Sequence, residues 1–578
     1  MRKTKKFQDR INCFLIMILS IFLGYLILKD VKSLDQIVVL DDEFGYWANA
    51  ASLVGKDWSY LLGYTGYYSY GYSLLLIPLF LIVKTPSTMY AGAIVLNYLF
   101  LLISFWGNIY LTNKILNELR PKWTSICVAF VTTIYISNMV QSQYAWSENL
   151  LYMLVVLLSC FLYKYIEKPS IVLGGSVALL SIYAYVVHQR SLVILIALMC
   201  TCFFLFFMKS SNKKNIVFLM SGILVLFCVS VFFKDIITEF YNSGSLVEIN
   251  NYSGQVGKIY RIFTIEGIIQ YLKNAIGSFF YLSISSYFII PLGVVNCLRN
   301  IIKGIKNKEQ ITVIYIFWIL ILLGSIAISS IFINEPVRID MTLYGRYVDY
   351  ITAPFLIMGY LELWNGAQWG KKIFAIIFVN ICMIAIVNID FSSFAVSSYN
   401  SFGSCGISKY MFDSPVEKEV LFNMFFLTTV IFLIITFLFQ KVKCKAVVLS
   451  LVIIVILNIN QYDQYNLYVT QRLQNELRES VYPIAETIKY IDEKLNVYVV
   501  YDNLHGEKIR KNDELNNKIK YLQFLLPDKS IKGCDYSKVD SIKRGYFVVY
   551  TDSLLPKEEQ KLGEISEVTD LFSLYIKK

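Results

Sequence analysis

Long apolar stretches separated by short polar punctuation make up most of the chain. After a basic segment at residues 1–10, residues 11–28 are almost uninterrupted in apolar character. Further stretches of about 18 or more mostly apolar residues, the length a hydrocarbon core requires, centre near Leu96, Val131, Val155, Leu180, Leu198, Leu224, Phe288, Leu320, Leu356, Phe378, Leu433 and Ile453. With the first, they predict about thirteen transmembrane helices. Segment 11–28 lacks a small-residue cleavage site, so it reads as a retained helix whose start is cytoplasmic. From about Gln461 the pattern changes. Residues 481–495 have helical spacing, and 496–501, 546–551 and 571–576 read as strands rich in Val, Tyr and Phe. The expected organisation is a membrane part at 1–460 and a small α/β domain at 461–578.

Composition agrees with lipid as the main solvent. The 578 residues are 56 % hydrophobic and only 16 % charged, with a mean hydropathy of +0.54, whereas soluble domains carry roughly 25 % charged residues. Positive charge distributes by loop. Lys114, Arg120 and Lys122; Lys164 and Lys168; Lys209, Lys213 and Lys214; Arg299, Lys303, Lys306 and Lys308; Lys371 and Lys372; and Lys441, Lys443 and Lys445 fall in the loops that an odd count makes cytoplasmic. An odd number of spans then places the C-terminal domain outside the cytoplasm. That domain holds 18 Lys+Arg against 19 Asp+Glu, so the net charge of +11 belongs to the membrane part and is a topology signal, not a nucleic-acid footprint. Two His, eleven Cys lying mostly in apolar runs, and no CxxC pair argue against a metal framework.

The informative polar residues sit at span ends. Asp41, Asp42 and Glu43 follow an apolar approach and precede an aromatic-flanked helical segment containing Tyr46 and Trp47. A carboxylate at the membrane face can act as general base on a hydroxyl, its basicity raised by desolvation and acidic neighbours. The plainer reading is an acidic helix start. Glu148 opens the fourth span, His188 and Arg190 lie between the fifth and sixth, and Arg338, Asp340, Arg346 and Asp349 cluster before the tenth. All map to the outer side. Charges near lipid are costly and turn toward a cavity or one another, so they predict one site in which a carboxylate activates a nucleophile and arginines hold an anionic leaving group.

The Asp42-Glu43 pair, YYSYGYSLLLIPLF before the second span, SENLLYMLVVLLS, HQRS around Arg190, and YGRYVDYITAPFL with Tyr344 and Arg346 together resemble the GT-C membrane glycosyltransferases. In layout the chain is similar to the aminoarabinose transferases of lipid A, the protein O-mannosyltransferases and the RgtA/B/C/D-like proteins. The resemblance implies an inverting transfer of a sugar from a polyprenyl-phosphate donor to a cell-envelope glycan, lipid or protein on the outer face. It implies Asp42 as base, assisted by Asp41 and Glu43, with Arg346 and Arg190 on the donor phosphate and Glu148, His188, Tyr344 and Tyr46 around the substrates. Tyr46, Trp47 and Tyr70 are candidates for stacking on sugar faces. No cofactor is implied beyond the lipid-linked donor, and a divalent metal stays open. The rivals are a transporter or flippase, which predicts internal repeats and midplane charges that the chain lacks, and a polysaccharide polymerase or ligase, which predicts a larger late loop than 390–419.

Overall fold

A computed structural model of the chain describes residues 2–577 except 35–36, 39, 63–67, 117–121, 209–211, 243–252, 334–338, 366–368, 392–400, 411–418, 443, 492–494, 502–512 and 551–558, with backbone only at some element ends. The membrane part runs through α1 (Arg2–Leu28), α2 (Leu40–Leu53), α3 (Ser59–Leu62), α4 (Tyr70–Ile82), α5 (Pro86–Leu116), α6 (Lys122–Thr133) and α7 (Ile136–Gln141). It continues as α8 (Glu148–Glu167), α9 (Ile171–Val187), α10 (Leu192–Phe207), α11 (Lys213–Asn242), α12 (Ser253–Arg261), α13 (Ile265–Ser285) and α14 (Ile289–Asn307). The last helices of this part are α15 (Thr312–Phe332), α16 (Ile339–Thr342), α17 (Thr352–Asn365), α18 (Trp369–Phe391), α19 (Glu419–Val442) and α20 (Cys444–Tyr465). The chain is an α-helical polytopic membrane protein.

Among the described residues, eight helical segments are long and apolar enough to cross a membrane, and α13 with α14, bent by 110°, makes a ninth. The apolar stretches near Val131, Leu180 and Leu356 form helices of only 12, 17 and 14 residues. Most of α6 and α17 is buried against other helices, and a helix buried all round is apolar without having to span. As helices, these three stretches are shorter than the roughly 20 residues that an untilted span needs. By contrast, α1 and α11 leave large apolar side chains uncovered, Ile21 and Phe232 among them, as lipid-facing helices do.

The bend between α13 and α14 is made by Tyr287 and Phe288, both left-handed with φ of 50° and 60°. Each such non-glycine residue costs roughly 1–2 kcal/mol. Backbone hydrogen bonds from Phe288 N to Ser283 O at 2.8 Å and from Tyr287 N to Ile284 O at 3.2 Å hold the turn. The Phe288 ring packs on Phe432 and Phe425 of α19.

The expected boundary at 460/461 falls inside α20. The helix passes through a π turn at Asn466–Gln471 and continues as α21 (Arg472–Ile491). The tail adds α22 (Asp513–Leu525) and five strands, β1 (Val497–Tyr501), β2 (Ile531–Asp535), β3 (Gly545–Tyr550), β4 (Glu564–Val568) and β5 (Phe572–Lys577), in the order β2-β1-β3-β5-β4. β1 is parallel to β2 and β3, and the β3/β5 and β5/β4 pairs are antiparallel. Period-two alternation divides the side chains: Val497, Val499, Tyr546, Val548, Phe572 and Leu574 join the main core, while Val500, Cys534, Phe547 and Val549 form a second small cluster. The main core is continuous with the membrane part. Phe524 of α22 packs on Trp47 of α2 at 5.3 Å and on Tyr90 of α5 at 6.3 Å, and Trp58 Nε1 donates to Pro527 O at 3.3 Å.

Candidate active site

Four residues from distant parts of the chain meet in one line of ion pairs, Asp42–Arg346–Glu148–Arg190. Arg346 donates through Nε to Glu148 Oε1 at 2.7 Å and through Nη1 to Asp42 Oδ2, and Arg190 Nη2 donates to Glu148 Oε2. Glu148 is the first residue of α8, where the helix dipole favours a carboxylate. Its side chain is 1 % exposed and bridges both guanidiniums. Asp42 is 25 % exposed and is the most open member of the line.

Local structure aims these groups. Asp42 lies in the first turn of α2, and Gly45, one turn on, leaves room for the Tyr68 ring: a Cβ at Gly45 would come within 2.0 Å of it. Tyr68 can therefore donate its hydroxyl to Asp42 Oδ1. Arg346 sits in a tight turn whose Gly345 and Arg346 N–H groups both donate to Gly403 O, at 2.9 and 3.0 Å. Its guanidinium lies 4.0 Å from the Trp146 ring centroid, and that of Arg190 lies 4.9 and 5.4 Å from those of Tyr347 and Tyr350. These aromatic faces stabilise partly desolvated cations. Arg190 Nε and Nη1 are buried without a hydrogen-bond partner among the described residues.

Burial opposes ionisation of Asp42, but the Arg346 guanidinium and the Tyr68 hydroxyl outweigh it and hold the carboxyl below the usual range. This corrects the expected rise in basicity. Desolvation is present as expected, but a guanidinium 304 positions away in sequence, not visible from the local pattern, lies against the acid.

The other predicted residues take different places. Glu43 is buried and accepts from Val38 N and Ala145 N, both at 2.7 Å, pinning the start of α2 to the segment before α8. Tyr46 is buried and donates to Ser147 Oγ at 2.8 Å, and Trp47 is enclosed by Phe80 and Phe524. Tyr70 donates to Ser230 O at 3.3 Å. Tyr46 and Trp47 offer a sugar no open face, and Tyr70 is partly exposed. His188 Nδ1 accepts from Arg190 N at 3.2 Å, capping the turn Gln189–Ser191. Burial and the neighbouring Arg190 and Arg346 charges keep its imidazole neutral, well below its ordinary pKa. Tyr344 packs edge-on against Tyr347 at 4.8 Å beside the arginines. The side chains of Asp41 and Asp340, and Arg338 entirely, lie outside the described residues. Tyr68, Trp146 and Tyr347 were not foreseen; an aromatic beside AWSEN and GRY was their only sequence signal. Among the described residues no group of three or more His, Cys, Asp and Glu is placed to hold a metal ion.

No protein-family model and no curated protein matches the chain. Solved structures do, and they show the GT-C membrane glycosyltransferase fold. Crystal structures of ArnT from Cupriavidus metallidurans, bound to undecaprenyl phosphate and in the apo state, align with TM-scores of 0.53 and 0.52. In both cases the identity is 9 % and 97 % of each chain is covered, so what is shared is the fold. An oligosaccharyltransferase from Archaeoglobus fulgidus, tethered with an acceptor peptide, aligns at a TM-score of 0.40 and 10 % identity over 90 % of this chain and 63 % of its own.

Proposed function

We propose that the protein is an inverting glycosyltransferase that moves a sugar from a polyprenyl-phosphate donor to a hydroxyl of a cell-envelope acceptor on the outer side of the membrane. The observation that carries this reading is the line of ion pairs ending in the partly open Asp42. An acid at substrate reach and two buried guanidiniums, one with unpaired N–H groups, are the parts an acyl-free displacement at an anomeric carbon needs. The acceptor oxygen bonds to that carbon as the bond to the phosphate oxygen breaks. Asp42 takes the acceptor proton, and the lipid phosphate leaves with the electron pair into the field of Arg346 and Arg190. A donor phosphate competes with Asp42 for Arg346, so donor binding frees the carboxylate and raises its basicity when the acceptor arrives. That ArnT binds undecaprenyl phosphate in the same fold supports a lipid-linked donor.

Arg346→Lys is expected to impair turnover nearly as much as Arg346→Ala. Arg346 spans Asp42 and Glu148 with two different nitrogens, and lysine offers one point charge where a planar fork is required. Turnover of an undecaprenyl-phosphate sugar by the three proteins at matched expression checks this. Near wild-type turnover in the lysine variant would remove Arg346 from phosphate binding and leave it as a buried partner of Asp42 and Glu148.

Outer placement of the site and tail rests on the Lys/Arg asymmetry of the loops. An impermeant maleimide is expected to label Asp528→Cys, whose side chain is 81 % exposed in the wild type, in intact cells. Lys306→Cys, at the far end of α14, should react only after lysis. The reverse pattern would invert the topology.

A further inference from the structure

Behind Arg346 lies a further buried carboxyl, that of Asp349, whose hydrogen bonds among the described residues go to residues outside the ion-pair line. Its Oδ2 accepts from Tyr281 OH at 2.9 Å, from Ser137 Oγ, and from Gln141 Nε2 at 3.4 Å, and its Oδ1 accepts from Tyr135 OH at 3.2 Å. Asp349 is 1 % exposed. Four donors from α6–α7 and α13 thus converge on one side chain. A buried carboxyl that gathers this many donors is well satisfied, and each donor would be orphaned by its loss.

Tyr281 ties this cluster to the arginine. Its ring lies so close to Gly345 that a Cβ there would meet it at 1.9 Å. Its hydroxyl donates to Asp349 and accepts from Gly406 N at 3.0 Å. Asp349 N and Val348 N both donate to Gly345 O, at 3.0 and 2.8 Å, closing the turn that carries Arg346. One side chain therefore braces the turn at Gly345 and at Asp349, and holds the 403–406 segment whose Gly403 O receives the Gly345 and Arg346 N–H groups.

We infer that Tyr281 and Asp349 are positioning residues for Arg346: they fix the turn 345–349 so that the guanidinium faces the donor phosphate, without touching the substrate themselves. The inference rests on the phosphate-binding role proposed above for Arg346. Arg346 needs such support because its fork is useful only in one orientation, and a displacement of about 1 Å costs a positioned group much of its effect. The turn begins on a glycine, so its bracing comes from Asp349 at its end and from Tyr281 of α13.

The test is binding of undecaprenyl phosphate, in detergent micelles, to the full chain and to Tyr281→Phe, Asp349→Asn and Ser159→Ala. Tyr281→Phe keeps the ring against Gly345 and removes only the hydroxyl. Ser159 is a buried hydroxyl that accepts from Trp318 Nε1 at 3.0 Å outside the cluster, and controls for the loss of any buried hydrogen bond. Tyr281→Phe and Asp349→Asn are expected to weaken binding by about tenfold per folded protein, with Ser159→Ala binding as wild type. In turnover the same two variants should raise KM for the donor more than they lower kcat. If Asp349→Asn does not fold, Tyr281→Phe alone decides. Wild-type affinity in Tyr281→Phe would overturn the positioning role while leaving the phosphate site intact. No binding by the wild-type protein would overturn the phosphate site and the positioning role together.

Discussion

Replacing Asp42 by asparagine is expected to lower sugar transfer by roughly 10²- to 10⁴-fold, the usual effect of losing a general base, and to leave the protein folded. Folding should survive because Arg346 keeps Glu148 at 2.7 Å and Asp42 is one-quarter exposed. Asp41→Asn should be milder, since the pattern that the sequence resembles places the base at Asp42. The wild-type pH profile carries the sign of the same interaction. Arg346 and Tyr68 hold the Asp42 carboxyl below its ordinary value, so the free enzyme keeps this group ionised through the neutral range. Activity and the ion-pair contribution to stability are then lost only as pH falls below about 4, the ordinary aspartate value. Initial rates across pH for wild type and Asp42→Asn, with melting curves as the folding control, measure both. Equal and small effects at positions 41 and 42 would deny Asp42 the role of base.

Glu148→Ala is expected to destabilise the protein more than any other single change in the ion-pair line, by about 3–5 kcal/mol, the range for removing one partner of a buried pair. Glu148 alone stands between Arg190 and Arg346, and both guanidiniums are almost fully buried. Without it Arg190 retains no carboxylate among the described residues, and it keeps the faces of Tyr347 and Tyr350. Glu148→Gln should fall between, because an amide oxygen can accept from one arginine. Removing the stranded charge as well, in Glu148→Ala with Arg190→Met, should restore part of the loss. The fraction of protein surviving heating in detergent, compared across the four proteins, reads the effect. A Glu148→Ala protein that melts with wild type would mean that water or lipid already solvates the pair.

These residues were legible because charge at a span end is rare enough to be conspicuous. Asp42, Glu148, Arg190 and Arg346 each follow or precede an apolar stretch, and the cost of leaving them unpaired near lipid forces them together. Their pairing order was not legible, and with it went the sign of the Asp42 shift. Tyr46 and Trp47 show the complementary limit: an aromatic near a membrane surface reads the same whether it faces a sugar, a headgroup or, as here, Ser147 and Phe524. In the tail, β1, β3 and β5 announce themselves through runs such as VYVVY and YFVVY, and the structure places strands there. β2 (IKGCD) and β4 (EISEV) carry Gly, Lys and Glu and take their extended form from pairing with β1 and β5. Helices α6 and α17 show a further limit: burial in protein and burial in lipid select the same side chains, so an apolar stretch reads alike in both.

The π turn at Asn466–Gln471 makes the join between α20 and α21 an angular dial. It is a helical rod wound one notch too wide, and rods of this kind rotate their far end when a residue is added or removed: about 100° and 1.5 Å per residue. At the far end α22 meets α2 through Phe524 and Trp47, on the helix that carries Asp42. A single-residue insertion or deletion in this turn is therefore expected to break the contacts of Phe524 with Trp47 and of Pro527 with Trp58, and so to loosen α2, with every residue of the ion-pair line unchanged.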